Sequence, residues 1–249
     1  MTEQRTAVVS GGGTGIGLAI VEALVKDGAH VVALGRRPAP LERAVSRCPA
    51  GTVTARQCDV GDPVEVEVLA AWLQDAFGSI DAVVCNAGGA VRTPTDTLAA
   101  LAENWTATFR ANVLTSVLLT HACLPLLPKP GGRVVLVSSM ASRSGGGGAA
   151  YGAAKATLNG WVLNLAANLG PGGITANVVA PGYVPDTELF PEGGLPAEMH
   201  NRIIGRMAMG RPIETTEIAS VVSFLCSPGA SAITGQVIEV DCGRLPPGA

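Results

Sequence analysis

Short, almost entirely apolar runs alternate with helix-like stretches along the whole chain, and this alternation limits the possible folds more than any other feature. We predict strands at 7–10, 30–35, 53–59, 82–86, 133–138, 175–180 and 236–240. We predict helices between them, at 16–28, 40–48, 63–77, 99–127, 150–169 and 214–227. Strands without polar alternation are typical of a parallel sheet that is covered on both faces. The sequence therefore predicts one α/β domain over residues 1–249, with a doubly wound, Rossmann-type sheet of about seven parallel strands and helices on both faces.

Composition narrows the classes of protein to which the chain can belong. Its 249 residues, 47% hydrophobic and 15% charged, can form one large core and exclude a disordered chain. The net charge of -3 argues against a nucleic-acid partner, and no apolar run is long enough for a membrane span. The N-terminal residues lack the pattern of a signal peptide. Six cysteines without a CxxC pair and three separated histidines predict reduced thiols, a cytoplasmic location and no metal site.

The stretch at 183–212 departs from the alternation. It contains several prolines and glycines, followed by four apolar residues at helical spacing, Leu195, Met199, Ile203 and Met207. An insertion of this kind is typical of a lid over a substrate site. A helix docked permanently on the core would give the same pattern.

A glycine-rich turn separates the first predicted strand from the first predicted helix. Its glycines are Gly11, Gly15 and Gly17, a GxxxGxG spacing with Thr14 and Ile16 between them. Glycine lets the backbone and the N-terminus of a helix approach a pyrophosphate closely. Because no Gly-Lys-Ser/Thr follows, the turn favours a dinucleotide over a nucleoside triphosphate.

Two arginines, Arg36 and Arg37, follow the second predicted strand, where NAD-binding domains usually place an acidic residue for the ribose hydroxyls. A guanidinium at this point accommodates a 2′-phosphate, so the sequence favours NADP(H) over NAD(H). A solvated pair of surface arginines is the alternative. Asp59 and Val60 close the third strand and either flank the adenine or form an ordinary turn.

Tyr151 and Lys155 are four residues apart in the helix predicted at 150–169, which places both side chains on one face. A fixed cation stabilises a phenolate, so the lysine together with a positively charged cofactor ring is expected to lower the tyrosine pKa. Taken alone, the pair could also be two exposed residues of a surface helix. Together with the glycine turn, it favours a site for proton transfer.

Six features in order resemble the short-chain dehydrogenase/reductase family over essentially the whole chain. They are the GxxxGxG turn, Asn86-Ala87-Gly88, Asn112, Ser139, Tyr151-xxx-Lys155 and Pro181-Gly182. The resemblance implies an oxidoreductase that moves hydride between a nicotinamide and a carbonyl or alcohol carbon. The chain departs from the usual pattern at Cys85, where family members often have a second asparagine.

The resemblance also implies a role for each matching residue. Tyr151 resembles the catalytic acid/base, Lys155 its partner on the nicotinamide ribose, and Asn112 the residue that holds water in the proton relay. Ser139 resembles the residue that stabilises charge on the substrate oxygen. The cofactor-binding residues that it implies after the fourth and sixth strands are Asn86, Ala87, Gly88, Pro181, Gly182, Val184 and Thr187.

The catalytic serine has two candidates, Ser138 and Ser139, and alternation along a strand lets only one of them face the cofactor. The serine-to-tyrosine spacing that is common in the family selects Ser138. The local pattern Val-Ser-Ser-Met-Ala-Ser resembles family segments in which the second serine is catalytic. We favour Ser139.

The leading hypothesis is an NADPH-dependent reductase of a ketone or 3-oxoacyl-type carbonyl, or the reverse dehydrogenase. The alternative is a nucleotide-binding redox sensor or scaffold without turnover. A serine hydrolase is disfavoured because a Gly-x-Ser-x-Gly elbow and a histidine partner are lacking. The resemblance implies a homo-oligomer, a tetramer or a dimer. A partly hydrophobic small-molecule substrate is predicted from Leu189, Phe190, Leu195, Met199, Ile203, Met207 and Met209.

Overall fold

The computed structural model describes residues 4–144, 146–185, 187–190 and 194–243, and in this part of the chain seven strands form one parallel sheet. Their order across the sheet is β3-β2-β1-β4-β5-β6-β7, which confirms the predicted fold class. The strands are β1 (Thr6–Ser10), β2 (His30–Gly35), β3 (Val53–Gln57), β4 (Ala82–Cys85), β5 (Arg133–Val137), β6 (Thr175–Pro181) and β7 (Val237–Val240).

Helices cover both faces of the sheet. Where the sequence places Asp62 before Pro63, for example, the Asp62 carboxylate accepts from the amides of Val64 and Glu65 and caps the helix. Among the described residues no helix is long and apolar enough to cross a membrane. The helices are α1 (Gly15–Lys26), α2 (Pro38–Arg47), α3 (Pro63–Phe77), α4 (Leu98–Phe109), α5 (Thr115–Cys123), α6 (Ala141–Ser144), α7 (Ala149–Leu169), α8 (Ala197–Ile204) and α9 (Thr215–Leu225).

Successive strand residues pack into two hydrophobic cores, one on each face of the sheet. In β1, Ala7 and Val9 pack with α1 and α9, whereas Val8 packs with α3, α5 and α7. The strands β2 and β5 alternate in the same way. Because side chains point to opposite faces at each step, a sheet covered on both sides requires the continuous apolar runs seen in the sequence.

The prediction of a single continuous helix at 99–127 is wrong. The segment consists of α4 and α5 joined by a π-helical turn, Arg110–Leu114, and it ends with a 3₁₀ turn, Leu124–Leu126. The π turn contains Asn112, whose side chain bonds to backbone outside the helix. Such turns are rare and are frequently found at functional sites. The short helix α6 is also absent from the predicted elements.

Parts of two predicted segments lie outside the described residues. The lid at 183–212 includes Asp186 and residues 191–193, and the domain at 1–249 includes 1–3, Gly145 and 244–249. The described remainder of the lid segment contains α8. Movement of this segment as a lid stays a prediction.

Candidate active site

A cleft of about 810 Å³ lies where β1 and β4 are neighbours in the sheet although they are not consecutive in the chain. Such a switch point, at the carboxyl ends of parallel strands, is where open α/β sheets bind ligands. The turn after β1 and the residues after β2, β4 and β6 line the cleft, together with Tyr151 and Lys155. The topology thus brings residues from the whole chain to one place.

Close backbone approaches require the glycines of the turn after β1. A Cβ at Gly17 would lie 2.0 Å from the carbonyl oxygen of Gly11. Gly11 and Gly15 have φ angles of 66° and 51°, which side chains rarely adopt. Thr14 precedes α1 and its side chain makes no capping hydrogen bond among the described residues, so first-turn amides of α1 can donate to a phosphate. Ile16 also lines the cleft.

Asn86 ties this turn to the end of β4. Its Nδ2 donates to the carbonyl oxygen of Ser10 at 3.1 Å, and its amide donates to the Ser10 Oγ at 3.1 Å. The amide of Ala87 donates to the same Oγ at 3.0 Å. Ser10 therefore uses its hydroxyl to hold the two loops together at the floor of the cleft.

Tyr151 and Ser139 meet in the cleft. Their side chains are hydrogen-bonded, and the Ser139 Oγ also accepts from the amide of Ala141 at 3.1 Å. Burial raises the pKa of Tyr151, and the hydrogen bond with Ser139 opposes this more weakly. A lowering of the tyrosine pKa by Lys155 together with a positively charged cofactor ring stays a prediction.

Ser138 points away from this pair. Its Oγ donates to the carbonyl oxygen of Lys155 at 2.9 Å, and the residue is buried. The structure thus places Ser139, and not Ser138, beside the Tyr151 hydroxyl. This arrangement agrees with the preference derived from the local sequence pattern.

Lys155 is buried one helical turn after Tyr151 in α7. Its Nζ donates to the carbonyl oxygen of Val137 at 2.9 Å and lies 5.8 Å from the centre of the Tyr151 ring. Burial lowers the pKa of Lys155 from 10.5 to about 8, so the amine is still mostly protonated at neutral pH. A Cβ at Gly88 would lie 3.1 Å from this Nζ and only 2.6 Å from the Asn112 Oδ1, and the second distance explains the need for glycine there.

Asn112 is fully buried in the π turn. Its Oδ1 accepts from the amide of Gly89 at 3.0 Å, and its Nδ2 donates to the Gly89 carbonyl at 2.9 Å and to the Thr108 carbonyl at 3.0 Å. The side chain therefore holds the backbone that follows Gly88. Participation of Asn112 in a water-mediated relay stays a prediction.

Arg36 and Arg37 line the cleft after β2, and both are exposed. The Arg37 Nη2 lies 2.7 Å from each carboxylate oxygen of Glu188. Glu188 belongs to residues 187–190, which follow β6 and which we call the strap. The ion pair thus joins the loop after β2 to the strap across the cleft.

Two further contacts hold the strap in place. A Cβ at Gly15 would lie 3.3 Å from the Thr187 Cγ2, so Thr187 covers the glycine turn. Arg92, in the loop after β4, donates to the Leu189 carbonyl oxygen at 2.7 Å. The strap is therefore fastened to the loops after β1, β2 and β4.

The remaining predicted cofactor positions also line the cleft, namely Asp59, Val60, Pro181, Gly182 and Val184. The Asp59 Oδ1 accepts from the amide of Gly61 at 2.9 Å, so Asp59 forms a turn at the strand end as well as facing the cleft. A Cβ at Gly182 would lie 2.9 Å from the Cα of Asp241, which explains why glycine follows β6.

The predicted apolar cover of the substrate is only partly correct. Leu189 and Phe190 line the cleft, whereas Met207 is buried in the core that contains α1 and α9. Leu195 and Ile203 pack against that core. The spacing shows which residues share a face of the segment but not whether that face meets the cleft or the core. The other two predicted residues, Met199 and Met209, are exposed.

Sequence reasoning misses several cleft residues, including Arg110, Thr115 and Glu188. Arg110 and Thr115 lie on either side of Asn112, and the π turn that places them was not predicted. Glu188 is 151 residues from Arg37, so no local pattern identifies the pair. In the described ranges no group of three or more His, Cys, Asp or Glu residues could hold a metal.

Comparisons with known proteins agree with this geometry. A family model described as Enoyl-(Acyl carrier protein) reductase matches residues 11–244. A tropinone reductase homolog of Arabidopsis thaliana is 35% identical over 243 residues, which cover 96% of this chain and 89% of that protein. Dehydrogenase/reductase SDR family member 4 of Homo sapiens is 34% identical over 248 residues, covering 96% and 87%. A mutant short-chain dehydrogenase/reductase of Serratia marcescens superposes with a TM-score of 0.86 at 32% identity, covering 96% and 97%.

Proposed function

Because the chain belongs to the short-chain dehydrogenase/reductase family of oxidoreductases, whose members bind NAD(P)(H), we propose that it reduces a ketone or 3-oxoacyl-type carbonyl with NADPH. One observation carries the proposal: Tyr151, Ser139 and Lys155 share a cleft with Arg36 and Arg37. The reverse oxidation of a secondary alcohol would use the same groups.

The cleft fits a dinucleotide at several points. The turn at Gly11, Gly15 and Gly17 has no side chains to keep a pyrophosphate away, and the N-terminus of α1 offers amide donors. Arg36 and Arg37 supply positive charge after β2, where a 2′-phosphate would lie. When bound, the cofactor supplies the hydride. The residues of the chain bind and orient the cofactor and the substrate, and they protonate the substrate oxygen.

Tyr151 donates the proton in the proposed reduction. Its raised pKa keeps the phenol protonated at neutral pH, which is the form that a proton donor needs. When substrate binds, the Ser139 hydroxyl turns its proton from the Tyr151 oxygen to the same carbonyl oxygen and stabilises the developing negative charge there. The Lys155 ammonium then stabilises the tyrosinate that remains after proton transfer.

Asn112 acts in this scheme by fixing the position of the backbone near the proton donor and Lys155. Its side chain fixes the backbone at Gly89, beside Gly88 and the Lys155 Nζ. We propose that it also orients a water molecule through which Tyr151 recovers its proton. This second role follows from the family resemblance.

The substrate proposed here is a partly hydrophobic small molecule. Val91 and the strap residues Leu189 and Phe190 give the cleft apolar surface. The name of the Arabidopsis relative supports a ketone. Because the matching family model is described as an enoyl reductase, an enoyl thioester is the second candidate substrate.

We further propose a cytoplasmic homo-oligomer, a dimer or a tetramer. All six cysteines are free thiols, which suits a reducing compartment. Apolar side chains are exposed on α4 and α7, with Leu98 at 86% and Leu163 at 61% exposure, and a second copy would cover them. Sedimentation velocity tests the assembly, and a monomer at micromolar concentration would contradict it.

The experiment that tests the proposed function is a panel of ketones, 3-oxoacyl thioesters and enoyl thioesters, each with NADPH and NADH at equal concentration. Loss of the reduced-nicotinamide absorbance with a carbonyl substrate and NADPH is expected. A preference for NADH of about tenfold or more, worth about 1.4 kcal/mol, would contradict the roles of Arg36 and Arg37. Tight cofactor binding without turnover of any substrate would favour the sensor or scaffold alternative.

A further inference from the structure

The ion pair between Arg37 and Glu188 occupies an unusual place for a surface contact. Both residues line the cofactor cleft, and they come from loops 151 residues apart in the sequence. Their side chains are 62% and 60% exposed, so the pair is surrounded by water and contributes little to the stability of the fold. An exposed pair can nevertheless be exchanged for another partner at low cost.

The position of Glu188 is fixed by its neighbours in the strap. Thr187 covers Gly15 in the glycine turn, and the Leu189 carbonyl accepts from Arg92. Contacts of the residues on both sides of Glu188 therefore keep its carboxylate close to the Arg37 guanidinium. Its two oxygens lie 2.7 Å from the Arg37 Nη2 and so occupy part of the guanidinium, a group that binds phosphates strongly in proteins.

We propose that Glu188 sets the preference between NADPH and NADH by competing with the adenosine 2′-phosphate for Arg37. This inference rests on the proposed function, in which Arg37 binds that phosphate. A phosphomonoester carries about -1.5 to -2 charges at neutral pH, so it displaces the carboxylate and is also repelled by it. A ribose with a free 2′-hydroxyl neither displaces the carboxylate nor is repelled by it, so the ion pair persists beside it.

Glu188→Gln tests the competition because it keeps the size of the side chain and removes its charge. The matched control is Glu22→Gln, since Glu22 is ion-paired to Arg47 between α1 and α2 and neither residue lines the cleft. The probes are adenosine 2′,5′-bisphosphate and AMP, whose Kd values are measured by titration calorimetry on the full chain. Neither probe contains nicotinamide, so catalysis does not enter the result.

We expect Glu188→Gln to tighten the Kd of the bisphosphate about two- to fivefold, the range expected for an exposed ion pair, and to leave the Kd of AMP unchanged. The Glu22→Gln control should change neither Kd. In an Arg37→Gln background, Glu188→Gln should lose its effect.

Two results would overturn the inference. An unchanged Kd of the bisphosphate, or an effect that persists without Arg37, would show that no competition exists. Weaker AMP binding would show that Glu188 holds the ribose hydroxyls instead. The wild type separates this inference from the proposed function: equal binding of the two probes refutes the NADPH assignment, whereas preference for the bisphosphate with no response to Glu188→Gln refutes only the role of Glu188.

Discussion

The Tyr151 region and the strap line the same cleft but are held by different kinds of interaction. Tyr151, Lys155 and Ser138 are buried, and the last two bond to backbone carbonyls of β5 and α7. The strap is fastened by an exposed ion pair and by the hydrogen bond from Arg92 to Leu189. Buried hydrogen bonds are costly to break, whereas exposed pairs exchange readily with water and ligands. In the function that we propose, proton transfer depends on the buried region, and the choice of cofactor depends on the exposed one.

The largest effect is expected in the buried region, from Lys155→Met. Methionine keeps the length of the side chain but removes the cation beside the tyrosinate, so kcat/KM should fall about 1,000-fold. Steady-state kinetics with the best carbonyl substrate measures this. An exposed lysine, Lys26 in α1, provides the control Lys26→Met, which should retain activity. Equal loss in both variants would show that the position beside Tyr151 is not special.

The same substitution is expected to stabilise the fold. Below pH 8 the buried ammonium of Lys155 is charged in both the folded and the unfolded state, and its lowered pKa corresponds to about 3 kcal/mol lost on folding. Lys155→Met should therefore raise the free energy of unfolding at pH 7.

The gain in stability from Lys155→Met depends on pH. As the pH rises from about 8 towards 10.5, the folded protein has released the Lys155 proton while the unfolded chain still holds it. The free energy of unfolding of the wild type then rises relative to that of Lys155→Met, and the difference between the two proteins becomes smaller. Urea unfolding at several pH values measures it. A variant less stable than the wild type at pH 7 would show that burial of the charge is already compensated.

Substitutions of the two adjacent serines distinguish a catalytic role from a structural one. Ser139→Ala removes the hydroxyl beside Tyr151 and should lower kcat about 100-fold, as for other donors to a developing oxyanion. Ser138→Ala should retain activity and lose about 1 kcal/mol of stability, because it removes a buried hydrogen bond to Lys155. Kinetics and urea unfolding of both variants check this. The reverse assignment of effects would identify Ser138 as the catalytic serine.

The smallest effect is expected in the strap. Arg92→Ala removes the donor to the Leu189 carbonyl and should raise the KM for NADPH about threefold, as expected for one exposed hydrogen bond. Global stability should not change. Arg43→Ala in α2 removes an exposed cation elsewhere and serves as the control. A loss of stability in Arg92→Ala would mean that the strap belongs to the cooperative core.

The contrast between the two regions also explains what the sequence can predict. Strand positions follow from apolar runs such as β2, because burial on both faces leaves no polar alternation. Tyr151 and Lys155 are found because one helical turn connects them. The Arg37–Glu188 pair is not found, since only tertiary structure brings these residues together.

Two features of the site that the sequence does not reveal have a common physical origin. The π turn at Asn112 depends on hydrogen bonds to Gly89, which is distant in sequence, so the periodicity of 99–127 does not reveal it. The pKa of Tyr151 is raised by burial, which the packing of the whole fold determines. Local spacing predicts which residues are neighbours, but it does not predict how much water is excluded around them.

The most direct test of the proposed proton donation is a single-turnover reaction of Tyr151→Phe with NADPH and a carbonyl substrate, followed by the reduced-nicotinamide absorbance. We predict NADPH binding close to that of the wild type and a rate at least about 1,000-fold lower. Tyr183→Phe, which removes the hydroxyl bonded to His200, is the matched control and should react at nearly the wild-type rate. Hydride transfer at the wild-type rate in Tyr151→Phe would contradict the proposal that this phenol supplies the proton.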